Sequence, residues 1–280
     1  MSMFASTELA ARIERAECAL VSAGIAALVR ARPGADAFAR PIAGGVAFYA
    51  GPNSPLNKVA GLGFAGPADL NEWSAIETEY HGRGAAVQVE LSTLAEPSLG
   101  AALTERGYQL VGVEAVFGRG LDAVPNAAAG PLRIESGEVV PFEEWLDTLV
   151  TGFCAPDTQG VASHESFPRD IIENSVRDFA LAEGFLRYAA YAENRLAAAA
   201  GMRLTDGVAQ LCGAATRPEN RRMGAQTALF GKRLQDAAAA GCDIAVLTAQ
   251  PGSKSAENGH RNDLDLLYCR NVLLKSPTGQ

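Results

Sequence analysis

The sequence predicts an α/β protein in which a mixed sheet is covered by helices and the chain is built as two similar halves. Three observations carry this. The 280 residues are 48% hydrophobic and 20% charged, enough apolar material for one large core or two modest ones. Short apolar runs such as IAVLT at 244–248 alternate with longer stretches of helical period, the pattern of strands buried on both faces. The order hairpin, helix, strand, helix, strand also occurs on both sides of a seam at 121–130, LDAVPNAAAG, which has linker composition. The halves are expected at residues 1–122 and 131–280.

Residues 1–30 read as an amphipathic helix, with Leu9, Ile13, Ala16, Leu20 and Ala27 on one face. Residues 46–49 and 58–64 read as a hairpin around Pro52-Asn53-Ser54-Pro55. A helix from about 68 to 81, a strand over 86–91, a helix over 97–106 and a strand over 108–119 close the first half. In the second half a strand at 131–135 precedes a helix over 141–153, with Pro141 suited to its first position. A loop over 154–165 and a helix over 167–183 follow. Strands are expected at 185–192, 196–204 and 208–215, then a helix over 227–240, a strand over 243–249, a helix over 253–261 and a strand over 264–275. Trp73 and Trp145 sit on amphipathic helices and read as core or as packing between the halves.

Charge and composition narrow the function classes. A net charge of −8 and a pI near 5.0 argue against nucleic acid or an anionic membrane as partner. No run of about 18 uncharged apolar residues is available to span a bilayer. The start shows no secretory leader pattern, so a cytoplasmic location is expected. Cys18, Cys154, Cys212, Cys242 and Cys269 are scattered without a C-x-x-C pair, which reads as reduced thiols and no metal site. With only His81, His164 and His260 available, no Cys–His dyad is indicated.

The most informative stretch runs from residue 207 to 241. An apolar strand leads through Thr216-Arg217-Pro218-Glu219-Asn220 into Arg221-Arg222-Met223-Gly224-Ala225-Gln226, which opens a long helix at Thr227. The first N–H groups of a helix have no intrahelical acceptor, and the helix dipole places partial positive charge there. A glycine lets backbone approach an anion closely. Together these make a phosphate cradle. The matching stretch of the first half, 65–70, carries Asp69, with Glu72 close behind. Those carboxylates cap a helix but repel a pyrophosphate, so the first half is expected not to bind the same ligand.

Arg221-Arg222-Met223-Gly224-Ala225-Gln226 resembles the acyl-CoA-binding motif of the GNAT acyltransferase superfamily, Arg/Gln-x-x-Gly-x-Gly/Ala, with Gln226 departing from the last position. The resemblance covers roughly 131–275, and the first half is similar as a degenerate copy. It implies central strands that splay to admit a pantetheine arm. It also implies acetyl-CoA as co-substrate and transfer of its acetyl group to an amine. The backbone of Gly213, Ala214 and Ala215 would pair with pantetheine. The N–H groups from Arg222 through Met223, Gly224 and Ala225 to Gln226 would hold the pyrophosphate, with the Thr227 hydroxyl and the Arg221 and Arg222 guanidiniums adding to it. Where the superfamily often has a tyrosine that protonates the leaving thiolate, this sequence has Gly259, and Asp263-Leu264 replaces the usual Gly-Phe. Asn258 as a partner of the CoA arm and Tyr268 as the acid are the candidates left, although Tyr268 also reads as packing.

Other residues invite roles. Asp157, His164 and Glu165 lie on the 154–165 loop, where His164 or Glu165 could act as base through water, against the plainer reading of a solvated loop. Gln210 and Cys212 alternate on the pantetheine strand, and a core thiol is the plainer reading of Cys212. The partners expected are acetyl-CoA and a small amine, with a homodimer left open. Two rivals stand beside this reading. One is a non-catalytic CoA-binding or interaction protein of the same fold. The other is a nucleotide-dependent α/β enzyme, which the absence of Gly-Lys-Ser/Thr and of a G-x-G-x-x-G after a strand weakens.

Overall fold

The computed structural model describes residues 3–66, 69–124, 132–157, 160–161 and 167–277. The first helix, α1 (Thr7–Ala31), starts at Ser6, whose hydroxyl accepts the Leu9 N–H at 3.1 Å. Its buried stripe includes Ile13, Ala16, Leu20, Gly24 and Leu28, spaced at three or four residues. β1 (Phe38–Ile42) lies outside the expected elements and carries Pro41, which removes a backbone donor. It sits at the edge of the sheet, where a strand proline is tolerated. β2 (Gly45–Tyr49) and β3 (Lys58–Ala60) form the expected hairpin, followed by α2 (Leu70–His81), β4 (Val87–Ser92), α3 (Pro97–Glu105) and β5 (Gln109–Gly120).

The second half runs β6 (Arg133–Ser136), α4 (Phe142–Cys154), α5 (Arg169–Ala180), β7 (Phe185–Ala192) and β8 (Arg195–Thr205). The strand expected at 208–215 is broken into β9 (Val208–Gln210) and β10 (Ala214–Thr216). Gly213, at φ +58°, takes the left-handed conformation that ends the first ladder, and the Gly201 N–H is shared between the Cys212 and Gly213 carbonyls. Then come α6 (Ala225–Ala239), β11 (Ile244–Ala249), α7 (Lys254–Arg261) and β12 (Asp265–Lys275). Among the described residues no helix is long and apolar enough to cross a membrane.

The described strands form one sheet in the order β1-β2-β3-β4-β12-β5-β11-β9-β8-β7-β6, with β10 pairing β8. Its centre is an exchange. β12 runs antiparallel between β4 and β5 (Leu273 opposite Val89 and Leu110), and β5 pairs in turn with β11 (Val246 opposite Gly118). The last strand of each half therefore lies inside the other half's ladder. Alternation along the strands sets the layers. Ala115 and Phe117 of β5 pack with Leu229 of α6 and Ala256 of α7, while Val116 packs under Ile13 of α1. Helices α1, α4 and α5 thus cover one face and α2, α3, α6 and α7 the other. Trp73 and Trp145 are core residues, with indole N–H groups donating to Tyr108 Oη at 3.2 Å and to the Ala200 carbonyl at 3.0 Å.

The sheet curls around α1. Glu17 accepts from Lys58 Nζ on β3 at 3.0 Å and from Gln210 Nε2 on β9 at 3.2 Å, although β4, β12, β5 and β11 separate those strands. One carboxylate spans both only because α1 lies in the hollow of a strongly twisted sheet.

Candidate functional site

β9 and β11 run parallel as far as Gln210 opposite Val246, and the Leu211 N–H donates to the Val246 carbonyl at 2.8 Å. Beyond that point β10 follows β8, while β11 continues along β5 to Ala249 opposite Ala115. The sheet opens there into a V. The Gly201 N–H donates to the Gly213 carbonyl at 2.8 Å and the Arg217 N–H to the Ala197 carbonyl at 2.9 Å. The odd positions of this segment therefore bond to β8, and the N–H and C=O groups of Ala214 and Thr216 turn into the V. Ala215 packs beneath α4, where a Cβ built on Gly152 would meet Ala215 Cβ at 2.4 Å. Gly152→Ala should therefore push α4 off β10 and lower stability by about 1–3 kcal/mol, measurable by denaturant unfolding.

The edge of β10 leads to the start of α6. Gly224 caps this helix at φ +80°, and Arg222 is also left-handed at φ +65°. A Cβ at Gly224 would meet nothing within 4 Å, so this side of the turn faces open space. No acidic residue stands in the first turn. Among the described residues, no acceptor pairs with the backbone N–H groups from 222 to 227. Gln226 turns its side chain back, donating from Nε2 to Thr216 Oγ1 at 2.9 Å, which ties the helix start to the end of β10. Arg217 and Arg169 both donate to Asp147 at 2.8 Å, and the Arg221 guanidinium donates to the Ala155 carbonyl at the end of α4. Arg222, Met223 and Thr227 are exposed, while Ala225 is buried against the core. Deeper in α6, the buried Arg233 donates to the Gly201 carbonyl at 3.1 Å and holds the helix on β8; burial lowers its pKa to about 10. The corresponding helix start in the first half is filled by its own carboxylate, since Asp69 accepts the Asn71 N–H at 2.8 Å.

Asn258 and Tyr268 are not brought together. Asn258 is half-buried on α7, on the α6 side of the sheet, and its carbonyl accepts from Asn262 Nδ2 at 2.8 Å. Tyr268 is buried on the α1 side and donates to Glu14 Oε1 at 2.7 Å. Burial and the Glu14 charge hold its phenol far above the usual pKa. Gly259 is buried, and a Cβ there would meet Leu247 Cδ2 at 3.2 Å, so any larger residue would have to push that side chain aside. Asp263 takes a left-handed turn at φ +60° and pairs with Arg119 at 3.2 Å. Cys212 is half-buried, and burial pushes its thiol up to about 12. His164 and Glu165 lie outside the described residues.

Sequence reasoning missed an ionic network on the α1 face. Lys58 Nζ lies 3.0 Å from both Glu17 and Glu90, and Arg270 Nε lies 2.7 Å from Glu14. Arg270 Nη1 approaches Glu114 at 3.7 Å, Glu90 at 3.8 Å and Thr248 Oγ1 at 3.5 Å. Burial alone would raise the Glu17 pKa, but Lys58 and Arg270 bring it down to about 2. For Glu114 burial prevails, helped by Glu90, and the carboxyl rises to about 7. The signal in the sequence was a lone charge inside each otherwise apolar strand: Glu90 in VQVEL, Glu114 in GVEAVF and Arg270 in LLYCRNVLL.

No family model and no curated protein matches the sequence. Solved structures do match in shape. A GCN5-related N-acetyltransferase from Kribbella flavida superposes with a TM-score of 0.64 at 18% identity, over 94% of this chain and 96% of that one. A tandem GNAT protein from the clavulanic acid biosynthesis pathway superposes with a TM-score of 0.62 at 11% identity, over 98% and 95%. The chain has the tandem GNAT fold. A functionally unknown conserved protein from Staphylococcus epidermidis ATCC 12228 shares it at a TM-score of 0.60 and 11% identity, over 88% of this chain and 96% of that one. In this GNAT fold the V between β10 and β11 is the splay expected of the second half, and β5 and β12 are the exchanged strands that join the copies.

Proposed function

We propose that this protein is an acyl-CoA-dependent N-acyltransferase that moves an acetyl group from acetyl-CoA to an amine, with the second half, 131–280, carrying the co-substrate. One observation carries the reading: an unpaired strand edge, at Ala214 and Thr216, runs directly into a helix start with open N–H groups at 222–227. An extended amide-bearing arm that ends in a pyrophosphate is complementary to both parts at once. The arm would lie along the 213–216 backbone, the pyrophosphate would sit over Gly224 with Arg221, Arg222 and Thr227 around it, and Asn258 would border the arm from α7. The first half would wall the acceptor side. The free thiols fit a reducing, cytoplasmic setting.

Transfer needs the thioester carbonyl held in the V, a neutral amine directed at it, and a proton for the departing thiolate. The test is calorimetric titration with acetyl-CoA, CoA, ATP and NAD. One acetyl-CoA per chain is expected, with no heat from ATP or NAD; failure to bind acetyl-CoA sinks the reading. Engagement of Tyr268 by Glu14, and the absence of a hydroxyl at Gly259, favour a second reading in which the fold binds CoA without turnover. Release of CoA thiol in the presence of an amine, above background hydrolysis, separates the two.

A further inference from the structure

The network beneath α1 is short of donors. Glu14, Glu17, Glu90 and Glu114 face two cations, Lys58 and Arg270. Glu14 Oε2 and Gln210 Oε1 belong to side chains 1% and 5% exposed, yet neither atom has a hydrogen-bond partner. Buried acceptors without donors mark a place where a donor belongs. Gln210 ends β9, where the V opens, and Thr248 lines the same face on β11. Glu114 lies on β5 one residue beyond Ala115, the partner of the last residue of β11. It is the member of the network with the most open side chain, 27% exposed, and Arg270 comes no nearer to it than 3.7 Å.

We propose that the acyl acceptor enters on the α1 face of the V as an alkylammonium cation, and that Glu114, delivered by the strand the first half contributes, takes its proton. This rests on the N-acyltransferase reading and names its acceptor class and its base. The Glu114 carboxylate accepts one proton from the ammonium. The lone pair set free forms the C–N bond to the thioester carbonyl carbon. The C–S bond then breaks with its electron pair on sulfur, and a second N–H proton neutralises the thiolate. Glu114 returns its proton to solvent through its open side.

The groups facing Glu114 are Arg270 on β12, Glu90 on β4, Lys58 on β3 and Glu17 on α1. Burial and Glu90 outweigh the two cations and bring its carboxyl to about 7, so the base is half ionised near neutrality. The rate should rise with pH through that value.

The test compares the wild type with Glu114→Gln and Glu114→Asp. Acceptors are n-butylamine, a cation at neutral pH, and hydroxylamine, which is already neutral there, with release of CoA thiol as the readout. Glu114→Gln should lose at least about 100-fold of the butylamine rate near neutrality and the plateau above pH 7, its residual rate climbing with the neutral-amine fraction instead. Its acetyl-CoA affinity and hydroxylamine rate should stay near wild type, and Glu114→Asp should restore part of the plateau. Unchanged butylamine transfer, or an equal fall with both acceptors, overturns the proposal. So does a wild type that binds acetyl-CoA but acetylates neither amine. A wild type that does not bind acetyl-CoA overturns the transferase reading itself.

Discussion

Under the proposed function, Gly224→Glu should weaken acetyl-CoA binding at least about 100-fold, or roughly 2.7 kcal/mol, in calorimetric titration. Two separable effects act at this position. The φ of +80° strains any residue with a Cβ, which costs about 1–2 kcal/mol of stability whatever the side chain. The space in front of the Cβ is open, so a longer side chain is not expelled by the fold and enters the place proposed for the pyrophosphate. There its carboxylate opposes a second anion and itself satisfies the free N–H groups. Gly224→Lys is the matched control. It suffers the same backbone strain and the same drop in melting temperature, but it keeps the local charge positive and retains much more of the affinity. Equal losses in the two variants would assign the effect to strain and remove the cradle from the site. Asp69→Lys at the corresponding helix of the first half should leave acetyl-CoA binding unchanged.

Arg270→Leu destabilises the protein by about 3–5 kcal/mol at neutral pH, the cost of leaving buried charges without their partner. Arg270 is 1% exposed and serves Glu14, Glu90 and Glu114 together, so its loss leaves four carboxylates facing Lys58 alone. Its loss also steepens a pH dependence that Glu114, raised to about 7, already gives the wild type between pH 7.5 and 5.5. In the wild type, Glu17 is held at about 2, below its unfolded value. Its contribution is present above the unfolded pKa and is lost as pH falls toward 2. In the variant the carboxylates that face Lys58 alone repel one another, so protons taken up by the folded state relieve that repulsion and stability rises further as pH falls from neutrality. Urea unfolding at pH 7.5 and pH 5.5 checks this: the gap between the two proteins should be wide at the higher pH and narrow at the lower. A gap that does not change with pH would mean that the carboxylates are solvated rather than dependent on Arg270.

The sequence made local features legible and hid those that depend on distant pairing. The helix start at 221–227 was readable because a glycine and flanking arginines are contiguous with it, and the structure places Gly224 at the head of α6. The hairpin at Pro52-Asn53-Ser54-Pro55 and the helix after Asp69 are equally local. The gap at 211–213 was not readable, since Leu211 and Cys212 continue an apolar run and only Gly213 hints at a break. The exchange of β5 and β12 leaves no local trace, because a strand's neighbours are chosen by partners more than a hundred residues away. Tyr268 illustrates the consequence. Placing it on the last strand says nothing about which face it takes, and α1, at the opposite end of the chain, claims its hydroxyl. The lone charges of Glu90, Glu114 and Arg270 were visible in the sequence. Their meaning needed the curl of the sheet that brings them under one helix.

The reciprocal exchange also governs when the molecule becomes whole. β12 is synthesised after every other described strand, yet it fills the slot between β4 and β5, both made in the first half. At translation speeds of 5–20 residues per second, the nascent first half waits about 10–30 s with two ladder edges open before its missing strand emerges. Such edges invite pairing with other chains. For this protein, then, escape from aggregation in the cell is set less by the stability of either half than by the interval before its last strand leaves the ribosome.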